Sequence, residues 1–122
     1  MKSRDSRCPT ETTIDVIGGR WKVIVLWELA RGVRRFGELH RALAGVTAKM
    51  LTQQLRELEK DGVVSRKVYA EVPPKVEYAL TPLGETLRPI LDGMDAWGRR
   101  YLRSASARDG GGVAALRTGR PQ

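Results

Sequence analysis

The sequence predicts a mainly α fold with a small β-hairpin wing, the winged helix-turn-helix. Three observations predict it: two short helices joined by a glycine-containing turn, a pair of β-prone segments directly behind them, and a last long helix with one apolar stripe.

The first helix is expected from about Thr10 to Ile17, where Gly18 and Gly19 stop it. A second covers about Arg20 to Ala30. Between Trp21 and Ala30 it is apolar nearly all round, and a helix without a solvated stripe belongs at the centre of a core. A third, short helix spans about Phe36 to Leu43, with Phe36, Leu39 and Leu43 on one face. Ala44-Gly45-Val46 then makes a tight turn. Thr47 is the natural N-cap of a fourth helix, Ala48 to Lys60, closed by Asp61-Gly62.

Two β-prone stretches follow, about Val64 to Ala70 and Lys75 to Leu80. In the second, Val76, Tyr78 and Leu80 alternate with Lys75, Glu77 and Ala79, giving one buried and one wet face. Pro73-Pro74 cannot join a ladder and stiffens the tip between them. The last helix starts at Thr81-Pro82, and Leu83, Leu87, Ile90, Leu91, Met94, Trp97, Tyr101 and Leu102 recur at helical spacing. Pro89 lies inside it and is expected to kink it.

The 122 residues are read as a flexible basic arm (1–7), one domain (8–107) and a disordered Gly-rich tail (108–122). A formal net charge of +8 favours polyanions, nucleic acid foremost. The single cysteine, Cys8, excludes a disulfide within one chain and any multi-cysteine metal cage. With one cysteine and one histidine, nucleophile–base pairs and histidine metal sites are not available, and no carboxylate pair is placed for acid–base work. The expectation is therefore no enzyme, no cofactor and no metal. No apolar run spans a bilayer, the N-terminus lacks the apolar core of a signal peptide, and no helix sets a dense basic face against an apolar one. A cytoplasmic protein without a membrane partner is expected.

The fourth helix separates into two faces. Leu51, Leu55 and Leu58 point inward and dock it, while Lys49, Thr52, Gln53 and Arg56 point out. Those outward residues suit a DNA major groove: Arg and Lys donate to guanine or phosphate, Gln pairs adenine, and Thr does either. A plain solvated face is the alternative; the preceding short helix and the following wing favour double-stranded DNA. Arg66, Lys67 and Lys75 flank the hairpin and are placed for phosphates, although cations and prolines also protect an edge strand. Arg34 and Arg35, just before the third helix, are candidates for the DNA backbone. One helix in so short a chain cannot bury Leu87, Leu91, Met94, Trp97 and Tyr101 internally, so they are read as a homodimer seam, joined by Ile14 and Ile17. A winged-helix module binding protein rather than DNA remains open. A small-molecule pocket lined by Trp21, Trp27, Trp97 and Tyr101 remains open too, though core packing explains these aromatics more simply.

From about Cys8 to Tyr101 the chain also resembles the HxlR-type winged-helix regulators, relatives of the MarR group. The resemblance rests on Cys8-Pro9, Gly19-Arg20-Trp21-Lys22, Arg35-Phe36-Gly37-Glu38-Leu39, the run from Leu51 to Gly62, the run from Pro73 to Thr81, and Trp97-Gly98, in that order. It implies a homodimer gripping a near-palindromic operator, with the helix from Ala48 in the major groove. The resemblance further implies that Cys8, which matches a sensor cysteine of several members, responds to oxidants or electrophiles. Its place before a helix N-terminus, near Arg4 and Arg7, favours a thiolate. A half-buried cysteine at the dimer seam is the alternative.

Overall fold

The computed structural model describes residues 8–109, so the expected arm over 1–7 and all of the expected 108–122 tail but Arg108 and Asp109, which end the last helix, lie outside the described residues. The elements run α1 (Pro9–Ile17), α2 (Lys22–Ala30), β1 (Arg34–Arg35), α3 (Phe36–Ala42), α4 (Ala48–Lys60), β2 (Val64–Tyr69), β3 (Lys75–Leu80), α5 (Pro82–Glu85) and α6 (Arg88–Asp109). This is a winged helix-turn-helix. The chain divides into two units, one ending at Arg88 and one beginning at Pro89.

In the first unit, α4 has the bounds its end signals predict. Thr47 Oγ1 accepts the Met50 N–H at 3.0 Å and satisfies one free donor of the first turn. At the other end Gly62, at φ +81°, lets the chain reverse. The Gly62 N–H then donates to the Glu59 carbonyl at 2.9 Å and the Val63 N–H to the Leu58 carbonyl at 3.2 Å, a Schellman closure. Leu51, Leu55 and Leu58 are fully buried. Each contributes about 1.5–3 kcal/mol of apolar burial, so the inner face decides how α4 docks.

The apolar α2 lies at the centre of this core. Val25, Leu26 and Leu29 are buried, and the helix packs against α1, α3, α4 and β3. Leu39 and Leu43 complete the layer from the α3 side. Between α3 and α4 the turn closes with the Val46 N–H on the Leu43 carbonyl at 3.2 Å. His40 Nε2 donates to the Val46 carbonyl at 3.0 Å; a carbonyl only accepts, so the proton sits on this nitrogen.

The sheet is antiparallel with strand order β1-β3-β2. The hairpin register runs from Val64 opposite Leu80 to Tyr69 opposite Lys75. The two-residue β1 was not anticipated: Arg34 pairs with Tyr78 and Arg35 with Glu77, which makes β3 the central strand. Thr81 ties the wing's exit to the end of α4. Its N–H donates to the Val63 carbonyl at 3.1 Å, and its hydroxyl donates to the Gly62 carbonyl at 2.6 Å while accepting the Gly84 N–H at 3.0 Å.

The expected single kinked helix from Thr81 onward is corrected to two helices. α5 ends at Glu85, Thr86 and Leu87 form a turn, and α6 restarts with Pro89 in its first turn. Proline lacks the N–H that would reach the Glu85 carbonyl, and its ring clashes there; in a first turn neither defect matters. Gly84 is held close beneath the Val63 carbonyl, where an added Cβ would stand 2.1 Å from the oxygen. Elsewhere the expected boundaries shift by two residues at most: α1 begins at Pro9, α2 at Lys22, α3 ends at Ala42 and β2 at Tyr69.

The second unit is described by α6. Trp97 and Tyr101 stack at 5.3 Å with planes 19° apart, and the Arg108 guanidinium lies 5.8 Å from the Tyr101 ring. Arg99 donates to Asp95 at 2.8 Å. Among the described residues no helix is long and apolar enough to cross a membrane.

Candidate nucleic-acid interface

Burying the three leucines of α4 turns its other face outward. Lys49, Gln53 and Arg56 are exposed and Thr52 is half-buried. Among the described residues no carboxylate forms an ion pair with Lys49 or Arg56. Thr52 and Arg56 share one hollow with Arg66 of β2, floored by Phe36, Leu55 and Tyr78 and edged by Glu59. The wing and α4 therefore bring Thr52, Arg56 and Arg66 together. On its other side Arg56 borders a second groove, lined by Asp15, Lys22, Gln53, Glu57, Lys60 and Asp61.

Lys67 and Lys75 are on the opposite face of the hairpin from Arg66, as the two-residue alternation requires. Tyr69 lies between them, with Lys67 Nζ 4.8 Å and Lys75 Nζ 4.2 Å from the ring centroid. The Tyr69 hydroxyl donates to Glu77 Oε1 at 2.8 Å, which fixes the ring. Lys75 also lies 3.8 Å from Glu71 and 3.9 Å from Glu77, so much of its charge is already answered within the wing.

Arg34 and Arg35 flank the other edge of β3, paired with Tyr78 and Glu77. Arg34 is half-buried, with Nε 3.9 Å from Glu28 and a hydrogen bond to the Val33 carbonyl. Arg35 is exposed, and its N–H donates to Glu38 Oε1 at 2.7 Å, half of a capping box for α3. Cys8 is exposed at the N-cap of α1. Of the expected seam residues, Ile14, Met94, Trp97 and Tyr101 are exposed by 40% or more, Leu87 is half-buried, and Ile17 and Leu91 are covered within the single chain.

Two residues that the sequence did not single out adjoin the outward face of α4. Gln53 Nε2 donates to Glu57 Oε2 at 2.6 Å, and Glu57 Oε1 pairs with Lys22 Nζ at 2.5 Å. The Lys22 hydrogen bond first, and then Gln53, hold the Glu57 carboxyl below its ordinary range. The four-residue spacing of Gln53 and Glu57 was a usable signal. Lys22, on α2 with β1 and α3 between it and α4, gave none.

Known proteins share this architecture and its sequence. The model of the HxlR-like helix-turn-helix family matches residues 16–106. The HTH-type transcriptional regulator YdeP of Bacillus subtilis is 54% identical over 94 residues, covering 77% of this chain and 73% of YdeP. The solved structure of the redox regulator HypR in its reduced form is 49% identical and aligns with a TM-score of 0.78, over 82% of this chain and 99% of HypR. HypR in its oxidized form aligns at 0.74 with 54% identity, over 76% and 96%. The chain therefore belongs to the HxlR-like helix-turn-helix family and is a transcriptional regulator of that type.

Proposed function

We propose that the chain works as a homodimer that binds a near-palindromic operator in double-stranded DNA, without catalysis. Lys49, Thr52, Gln53 and Arg56 of α4 read base edges in the major groove. Arg66, Lys67 and, more weakly, Lys75, Arg34 and Arg35 meet phosphates. What carries this reading is the convergence of Thr52 and Arg56 with the wing cation Arg66 in one hollow, on a helix whose Lys49 is exposed. The two-fold seam is assigned to Ile14, Ile17, Leu87, Leu91, Met94, Trp97 and Tyr101; Ile14 is the exposed one on α1, and on α6 the stacked Trp97–Tyr101 pair and Met94 are exposed. Large apolar side chains left in water along one helix favour burial against a second copy.

Fluorescence anisotropy with the chain's own upstream promoter DNA, against scrambled DNA of equal length at two salt concentrations, tests this. A strong promoter preference with two chains per site is expected. Equal, strongly salt-dependent binding refutes sequence-specific reading, and absent binding at low salt makes a protein-interaction module the better account. Sedimentation of Trp97→Asp tests the seam: the variant is expected to run as a monomer.

Exposure of Cys8, together with likeness to a redox regulator solved in two oxidation states, favours a second element of function. Oxidation or alkylation of Cys8 shifts the dimer to a geometry that holds DNA weakly. With one cysteine per chain, a disulfide here must join two molecules. Two Cys8 thiols lose two protons and two electrons to an oxidant such as diamide, which leaves as the hydrazine. Diamide is expected to release operator DNA from the native chain and not from Cys8→Ser; an equal response of both, or of neither, refutes the sensor.

A further inference from the structure

We infer that Glu57, braced by Lys22, fixes the carboxamide of Gln53 so that its Oε1 is turned outward in a set orientation, which makes Glu57 a positioning residue that sets base preference. The inference rests on the reading of α4 as the base-reading helix.

A free glutamine side chain can turn its amide over. It then offers either Oε1, an acceptor, or Nε2, a donor, to whatever base edge it meets. Here the choice is made in advance. An ionised carboxylate only accepts, so the group that lies 2.6 Å from Glu57 must be the amide nitrogen. Glu57 is itself held in the ionised form by its hydrogen bonds to Lys22 and then Gln53.

Lys22 depends on Glu57 in turn. It is the first residue of α2, where the positive end of the macrodipole repels a cation, so a carboxylate partner is needed to hold it. Its side chain is 13% exposed, so the Glu57 carboxylate at 2.5 Å answers a charge that water does not reach freely. The three groups form a chain from α2 through α4 to its outer face: ammonium, carboxylate, carboxamide, with Oε1 of Gln53 and its second N–H left over in an order the tether fixes.

That acceptor matches the exocyclic amines of the major groove, adenine N6 and cytosine N4. Guanine O6 and N7 and thymine O4 are acceptors; at such an edge Oε1 and the negative Glu57 repel, and only the second N–H of the tethered amide can bond. The tethered Gln53 therefore disfavours an acceptor edge at its position. Freed, it could turn its Nε2 outward and accept either kind of edge.

The test is a binding matrix: the full-length chain titrated by anisotropy against every single-base variant of its promoter half-site. Four proteins are compared: native, Glu57→Gln, Gln53→Met and the double variant. Circular dichroism confirms that each is folded. In the native chain one base position should disfavour acceptor edges. Glu57→Gln is expected to relax that position by roughly 3- to 10-fold, the scale of one hydrogen bond within a bidentate contact, leaving the other positions unchanged. In the Gln53→Met background the same change should do nothing at that position. If Glu57→Gln weakens all variants alike, or acts equally without Gln53, the positioning role is refuted while Gln53 as a reader stands. If Gln53→Met leaves every base preference intact, Gln53 does not read DNA and the inference falls with that part of the α4 reading.

Discussion

Leu55 and Arg56 are neighbours on α4 that face opposite ways, one fully buried and one exposed, so truncating each should give opposite phenotypes. Leu55→Ala removes three carbons from a site with almost no solvent contact. At about 0.8 kcal/mol per methylene the transfer term is about 2.4 kcal/mol. The void left between α4, α2 and the sheet adds to it, bringing the expected loss to about 3–4 kcal/mol. For a domain of this size that lowers the melting temperature by roughly 12–20 °C. Arg56→Ala should change stability by no more than about 0.5 kcal/mol, because its guanidinium has no carboxylate partner among the described residues. It should instead cost about 1–3 kcal/mol of promoter affinity, roughly 5- to 150-fold, concentrated at one base position. Thermal and urea unfolding at matched protein concentration measure the first quantity, since association would make the midpoint concentration-dependent. Anisotropy titration measures the second. Were Leu55→Ala to cost less than about 1 kcal/mol, the leucine face would not be what docks α4. Were Arg56→Ala to leave affinity and base preference untouched, the outward face would not read DNA.

Three further outcomes follow from other parts of the molecule. Gly84→Ala places a Cβ 2.1 Å from the Val63 carbonyl oxygen, which cannot yield without breaking the Thr81 bond to that same carbonyl; a loss of about 2 kcal/mol or more is expected in urea unfolding. Arg66→Ala should flatten the salt dependence of promoter binding by about 0.9 log units per log unit of salt, whereas Lys75→Ala, its charge shared with Glu71 and Glu77, should flatten it distinctly less. Glu57 titrates below its ordinary value of 4.5 because of Lys22 and then Gln53, so its contribution to stability is full above that value and disappears as pH falls through the lowered one. The stability gap between the native chain and Glu57→Gln, followed by urea unfolding from pH 7 downward, should therefore close at acid pH and not at alkaline pH.

What could be read ahead of the structure depended on whether the signal was local. The bounds of α4 were legible because Thr47 and Asp61-Gly62 carry both end signals, and its two faces were legible because the leucines recur at helical spacing. The hairpin was legible from alternation and Pro73-Pro74. β1 was not: two arginines have no periodicity, and they are a strand only because β3 has an open edge to pair with. The break before α6 was read as a kink because the apolar rhythm continues from Leu83 through Leu87 to Leu91. Proline strength was judged correctly there and its position in the helix was not, since nothing in the rhythm shows that the helix starts again. The Lys22–Glu57 pair was invisible for a different reason: it is a tertiary contact between elements far apart in sequence. Burial is hidden in the same way: Ile17 and Leu91 are covered within the single chain, which their helical spacing does not show.

Thr81 bears on how chain length can vary in this molecule. One hydroxyl and one N–H join the end of α4 to the exit of the wing, within a few residues of the Gly62 turn and the Gly84 contact. An inserted or deleted residue anywhere over 61–64 or 80–84 shifts all of these partners out of register at once. The tip of the wing is bound by no such set: Glu71, Val72, Pro73 and Pro74 are exposed beyond the last strand pair, and lengthening an exposed loop costs little. Indels should accordingly be tolerated at 71–74 and rejected at both joints. The tip could then lengthen to follow a different backbone contour on DNA while the distance between α4 and the base of the wing stays the same.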